Sequence, residues 1–374
     1  MALCKSSRLS RQFQTLLLGL LVLFTAETAA AQIRTVLVSP VPGNPVASGT
    51  ALRNALAGIP SPSSTDRWLL KIEPGIYDIG STSLPMRSWV DIEGSGIGVT
   101  TIRGSVNSSS DGTVNGANNT ELRLLTVEAQ SSNFSIAMAN ITASPRLYRL
   151  KLIATAVNAW GIRNIGSAPL IEECGIVVTS TSTSSTFATG ILFKGFPPAG
   201  VRSSILRSTI AVSGAATNYG VNMLDAQTVT LIRDSRMDVA GGTTTYGISA
   251  APNLTWVGQE NLQIRDSEIG SAGGSSASYG IKLEAGTFVA LDINNSKVSG
   301  NVAPTTNGIV QLGNAPMGLQ GSNVVGFTQT IDSVSNVSVA STMLNGGPIT
   351  VSGWLGCMGV WDENGIFYAN SCPP

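Results

Sequence analysis

Histidine is absent from all 374 residues, and only 12 % of the chain is charged. Basic and acidic residues number 22 each, and no basic cluster exists to neutralise phosphates, so nucleic acid and anionic membranes are poor partners. Long apolar runs are missing too. Leu16–Phe24 is the longest near the N-terminus, about half the ~20 residues a bilayer span needs. Lys5, Arg8 and Arg11 precede it, and Ala29-Ala30-Ala31 follows before Gln32. That order is the pattern of a secretory signal peptide over 1–31, cut after Ala31, and implies a secreted (periplasmic, extracellular or cell-surface) mature chain with no membrane span. Loss of Lys5, Arg8, Arg11 and Glu27 leaves 19 basic and 21 acidic residues, a net charge of about −2.

Cysteine is scarce. Cys4 leaves with the leader, and three remain. Zinc wants three or four Cys or His ligands, so without histidine a metal site is a weak alternative. In an exported chain the simple reading of Cys357 and Cys372, which flank the turn-like segment Trp361–Gly365, is a disulfide pinning the C-terminal end. Cys174 falls in a column of small inward residues and reads as a buried, inert thiol.

What is abundant is glycine, 41 residues, and it recurs in a pattern. Trp160-Gly161-Ile162, Thr189-Gly190-Ile191, Tyr219-Gly220-Val221, Tyr246-Gly247-Ile248, Tyr279-Gly280-Ile281 and Asn307-Gly308-Ile309 place successive glycines 29, 30, 27, 33 and 28 positions apart. A loose period near 30 is the mark of a solenoid. A second repeat, apolar-x-x-small-x-apolar, follows most of these pairs: Ile171–Ile176, Ile205–Ile210, Ile232–Met237, Ile264–Ile269 and Ile293–Val298. Weaker copies lie at Leu122–Val127, Leu147–Leu152 and Val334–Val339. Two short strands meeting at a bend would turn the first, fourth and sixth positions inward. Stacked coils then align serine with serine and isoleucine with isoleucine. The composition is far from the Glu/Lys-rich make-up of helical solenoids, so the coil is β.

The mature N-terminus begins with a short amphipathic helix over Ser48–Ile59, with Ser48 or Thr50 expected as its cap. Trp68–Ile72, Glu73-Pro74-Gly75-Ile76-Tyr77-Asp78, Val90–Gly96 and Thr100–Gly104 come next. This series, with the coil repeat behind it, resembles the opening of the pectin lyase-like superfamily. The resemblance implies an all-β fold: a single-stranded right-handed parallel β-helix with coils of about 24–33 residues and a short N-terminal capping helix. On that reading 32–104 is the N-terminal cap with the first coils, 105–340 the helix proper, and 341–374 a C-terminal cap.

The resemblance carries no activity with it, because the superfamily holds lyases, hydrolases, esterases, epimerases, tailspikes and adhesins. Polygalacturonase-like hydrolases need a Gly-His-Gly segment, which a chain without histidine lacks. The Gln-Asp pair and Asp-Phe-Ile-Phe-Gly stretch of pectin methylesterases are absent, as is the Arg-x-Pro-x-x-Arg segment of pectate lyases. The remaining catalytic candidates are Asp234 and Asp266, at one repeat position, with Arg233 and Arg265 beside them. Paired carboxylates suit glycoside chemistry, and clustered aspartates suit calcium. Their column also reads as a structural ladder at the bend, where Asn and Asp tolerate unusual φ and bond the backbone. The aromatic column Trp160, Tyr219, Tyr246, Tyr279 would suit sugar-ring stacking as an exposed stripe, but by alternation it shares a face with the inward isoleucines, so an interior or edge stack is expected. Trp89 and Trp256 lie outside it.

Stretches rich in Ser, Thr, Asn and Gly (106–120, 179–186, 270–278) read as turns between coils that border any ligand site. Two function classes follow: an extracellular binding or structural scaffold, with polysaccharide as the partner and no cofactor, or a polysaccharide-acting lyase or epimerase using Ca2+. The missing catalytic motifs favour the scaffold.

Overall fold

The computed structural model describes residues 32–184, 186–198, 201–224, 229–251 and 260–373. The expected leader, residues 1–31, and Trp256 lie outside them. Two parallel sheets, of 24 and 11 strands, wind about one axis, and the 24-stranded sheet folds into two faces, which gives the coil three sides. Neighbouring strands are almost all one coil apart in sequence. Thus Ile162 pairs with Ile191, Ile191 with Val221, Val221 with Ile248 and Ile248 with Ile281. All five are fully buried, so one column of aliphatic side chains runs up the axis.

The repeat positions behave as the alternation requires. Ile205, Ser208 and Ile210 are buried, as are Ile264, Ser267 and Ile269. The residue between them sits in the left-handed region: Leu124, Arg149, Glu173, Arg207, Asp234, Asp266 and Asn295 have φ between 47° and 56°. That conformation turns the chain from one face of the large sheet to the next, at a cost of about 1–2 kcal/mol per non-glycine residue.

Serine offsets this cost. The amide of Cys174 donates to Ser208 Oγ, that of Ser208 to Ser235 Oγ, that of Ser235 to Ser267 Oγ and that of Ser267 to Ser296 Oγ, each at 3.1 Å. Ser296 and Ser322 continue the chain through Ser322 Oγ and Thr342 Oγ1, at 3.2 and 3.4 Å. Each serine hydroxyl in turn donates to the carbonyl two residues back, for example Ser267 Oγ to Arg265 O at 2.6 Å. A buried amide at a sharp bend is thereby satisfied by the next coil.

Three expectations are corrected. The helix runs Pro45–Gly58 and is capped by Asn44, whose Oδ1 accepts from the Ala47 amide at 3.0 Å, with Pro45 opening the first turn. Ser48 is inside it, one turn late. The late repeat copies are Leu319–Val324 and Val339–Leu344, not Val334–Val339. The register aligns Ile293 with Leu319 and Leu319 with Val339, so Ser341 (φ 48°), not Asn336, takes the bend. Third, the aspartates at the bend keep the unusual φ, but no bond from the Asp234 or Asp266 side chain to the backbone is found among the described residues.

Cys357 and Cys372 form a disulfide, Cα–Cα 5.1 Å, across a closing hairpin whose turn is held by Asp362 Oδ1 accepting from the amides of Asn364 and Ile366 at 2.9 and 2.8 Å. Cys174 is a free buried thiol, and burial pushes its pKa up to about 12. On the outside of the large sheet an ion-pair ladder invisible to repeat counting spans six coils. It links Lys71, Glu93, Arg123, Glu121, Arg146, Glu172, Arg207, Glu173 and Arg149.

Two outcomes are expected. Ser267→Ala strands the Ser235 amide and should lower unfolding free energy by about 1–3 kcal/mol in urea titrations, whereas Asp266→Asn, which keeps the tolerance for positive φ, should change it by less than about 0.5 kcal/mol. In the ion-pair ladder, burial works against ionised Glu93, but hydrogen bonds from Lys71 and Arg123 outweigh it and hold the pKa below 4.5. Glu172 is held low by its hydrogen bond from Arg146. Depressed carboxylates stabilise above their unfolded pKa and lose that contribution as pH falls through the folded one, so Tm should hold to about pH 5 and drop below it.

Candidate binding face

The aromatic column does not point inward. Register passes from Trp160↔Thr189 directly to Ile162↔Ile191, with the glycine between them unpaired. A Cβ on Gly161 would lie 2.3 Å from Ile176 Cγ2, and one on Gly247 2.6 Å from Ile269 Cγ2. Glycine and the following isoleucine therefore both face the core, alternation breaks between them, and the preceding residue is turned outward. Only glycine can approach the opposite sheet this closely, which is why it recurs.

Trp160, Tyr219, Tyr246 and Tyr279 consequently stand on the outer face of the 11-stranded sheet. Tyr219 stacks on Tyr246 (centroids 5.0 Å, planes at 7°) and Tyr246 on Tyr279 (5.2 Å, 8°). Trp160 meets the edge of Phe187 at 4.8 Å and stacks with Phe134 at 6.2 Å. Ile136, Ala139, Trp160 and Leu192 form a small apolar cluster separate from the core, with Phe134, Phe187 and Leu224 packed on it. Nearby, the Asn107 side chain accepts from the Phe134 amide at 2.9 Å, so the 105–113 segment borders this end of the face.

Lys282 lies over the Tyr279 ring at 5.0 Å and pairs with Glu284 at 2.8 Å. Burial, then the neighbouring phenol of Tyr246, pushes Tyr219 up to about 12. Tyr246 reaches about 12 by burial and then Tyr279. Between Trp160 and Tyr219 the column holds only Thr189. A cavity of about 430 Å³ opens there, lined by Phe187, Thr189, Leu192, Thr217 and Asn222 besides the two rings.

The sequence candidates sit elsewhere. Asp234 and Asp266 are exposed on neighbouring coils at the bend of the large sheet, bordering an open groove of about 870 Å³ with Arg236, Glu268 and Lys297. Asp234 contacts Arg233 at 3.4 Å, and no bond of the Asp266 or Arg265 side chains is found among the described residues. Glu268 bridges Arg236 (3.4 Å) and Lys297 (3.0 Å) across the groove. Among the described residues no three or more acidic or cysteine side chains are grouped to hold a metal ion. The four candidates lie side by side on two neighbouring coils, with Arg233 in register with Arg265, on a different face from the aromatic column.

A search among solved structures returns β-helices. The A-module of the Azotobacter vinelandii mannuronan C-5 epimerase AlgE4 is 14 % identical over 86 % of this chain and 89 % of its own, with a TM-score of 0.51. The Streptococcus pneumoniae surface adhesin PfbA (10 %, 87 % and 93 %, TM-score 0.40) and carrot pectin methylesterase (14 %, 67 % and 78 %, TM-score 0.36) also match. The shared fold is a parallel β-helix. At such identities the likeness covers the fold alone. No family model and no curated protein matches the chain.

The tyrosine stack has a measurable signature. In a spectrophotometric titration Tyr219 and Tyr246 should remain protonated at pH 11, and Tyr219→Phe should remove one late-titrating phenol. Because their folded pKa values are raised, the stability they contribute is intact below pH 10 and is lost as pH climbs toward 12.

Proposed function

We propose that this chain is a secreted glycan-binding β-helix whose binding surface is the outer face of the 11-stranded sheet. The observation that carries this reading is the outward aromatic column with a cavity set into it: apolar walls, hydroxyl and amide groups at the floor and rim, and few charges. Single-stranded nucleic acid also stacks on aromatics, but it needs a cationic track that this face lacks. The disulfide suits an oxidising compartment, and no helix among the described residues is long and apolar enough to cross a membrane. The epimerase whose A-module shares the fold acts, by its name, on a polysaccharide, mannuronan.

Catalysis is the less favoured reading, since Asp234 and Asp266 lie on a different side of the coil from the rings. The test is retention on immobilised glycans, with ultraviolet absorbance of unsaturated product followed in parallel. Tyr219→Ala and Trp160→Ala should each weaken retention about tenfold, ~1.4 kcal/mol, while Asp234→Ala leaves it unchanged. Calcium-dependent product that vanishes in Asp234→Ala or Asp266→Ala would make the protein a lyase instead.

A further inference from the structure

We infer that the cavity between the capping helix and the first strand of the 11-stranded sheet binds a small organic anion, a carboxylate carried on an apolar body. The site stands apart from the glycan-binding reading and does not depend on it. Its volume is about 410 Å³, and it is lined by Arg53, Leu56 and Ala57 of the helix, Leu84 and Pro85 of the strand, and Arg87 just after it. Among the described residues Leu84–Pro85 pairs on one side only, with Val114–Asn115, so the cavity borders a free sheet edge. The amides of Leu84 and Met86 are spent on that pairing, and Pro85 between them has no N–H, so an added peptide strand is disfavoured there.

Both arginines first serve the fold. Arg53 donates from the helix to the carbonyls of Ile79 and Ser83, at 2.7 Å each, and to that of Thr82. Arg87 donates to the carbonyls of Leu56 (3.0 Å), Ala57 (3.3 Å) and Ile59 (2.5 Å). The helix has no basic residue in its own last turn, so Arg87 supplies the cation that its C-terminal carbonyls favour. That duty occupies a single nitrogen, Nη1. The Nε–Nη2 edge of Arg87 and the Nε of Arg53 have no partner among the described residues, and none of these three nitrogens is sealed from solvent.

Charge sets this cavity apart. Arg123, Arg146, Arg149 and Arg207, outside the large sheet, each meet a glutamate. Arg53 and Arg87 meet only carbonyls, and no carboxylate lines the cavity. Burial lowers the Arg53 pKa, and no acid opposes it. Two guanidinium groups without a counter-charge favour an anion, and a free Nε–Nη2 edge matches the two oxygens of a carboxylate. Ala57 and Pro85 are exposed and offer an apolar wall, with Leu56 and Leu84 buried beneath it. An alkyl or aryl acid gains from that wall, whereas a hydrated inorganic anion does not.

The test uses the purified chain with 3-phenylpropionate and benzoate as probes. Their controls are 3-phenylpropanol, which lacks the charge, and acetate, which lacks the body. Binding is read by calorimetry and by the rise of Tm with ligand concentration. Two variants separate recognition from folding. Arg87→Lys keeps a cation for the helix carbonyls but has no planar fork, and Ala57→Trp fills the cavity while leaving both arginines in place. The expected result is saturable binding of at least one of the two acids, at least tenfold weaker for the alcohol and for acetate, and at least tenfold weaker in both variants. The unliganded Tm of Ala57→Trp should match that of the unsubstituted chain. Equal binding of the alcohol or of acetate, or binding untouched in either variant, overturns the site. Absence of saturable binding of both acids at millimolar concentration overturns it as well.

Discussion

Coil-on-coil stacking at the buried bend is the constraint on which the rest of this protein depends. Each coil must turn from one face to the next within a single residue held at positive φ, and the amide that follows would be orphaned inside the wall. The serine column resolves this by passing one hydrogen bond upward per coil, from an amide to a hydroxyl and from the hydroxyl back to a carbonyl. The same column keeps the aliphatic rows in register. Shifting one coil by a residue would expose an isoleucine and strand a serine together, so satisfaction of polar groups and burial of apolar ones select one register.

The outer faces follow from that register but serve different ends. On the large sheet, alternating acids and bases fall opposite one another and pair, which occupies the charges there. At the bend, the aspartates are tolerated for their backbone conformation, and their carboxylates are exposed. On the small sheet, the close approach of glycine to the opposite wall turns the preceding residue outward. Aromatic side chains at that position then stack at the coil period, about the contact distance of two rings. The cavity beside Tyr219 exists because one coil in that series carries threonine in place of a ring.

Much of this was legible in the residues. The Gly-Ile and apolar-x-x-small-x-apolar repeats led to stacked β-coils and to the inward positions of Ile205, Ser208 and Ile210, and two cysteines flanking a turn in an exported chain led to the Cys357–Cys372 bond. Two copies, Leu319–Val324 and Val339–Leu344, fit the same pattern and could have been found by allowing shorter coils. The orientation of the tyrosines could not be found that way. Strict alternation fails at the glycine, and whether glycine faces in or out depends on how closely the opposite sheet approaches.

The sequence by itself determined the fold class, the period of the coil and the identity of each buried column, because those depend on local alternation and on like residues recurring at fixed offsets. Only the tertiary structure decided which outward residues share a face. The candidate acids and the aromatic rings occupy the same coils but diverge to different sides of a three-sided wall. The cavity beside Tyr219 is bordered by three successive coils, and no one of those coils contains it.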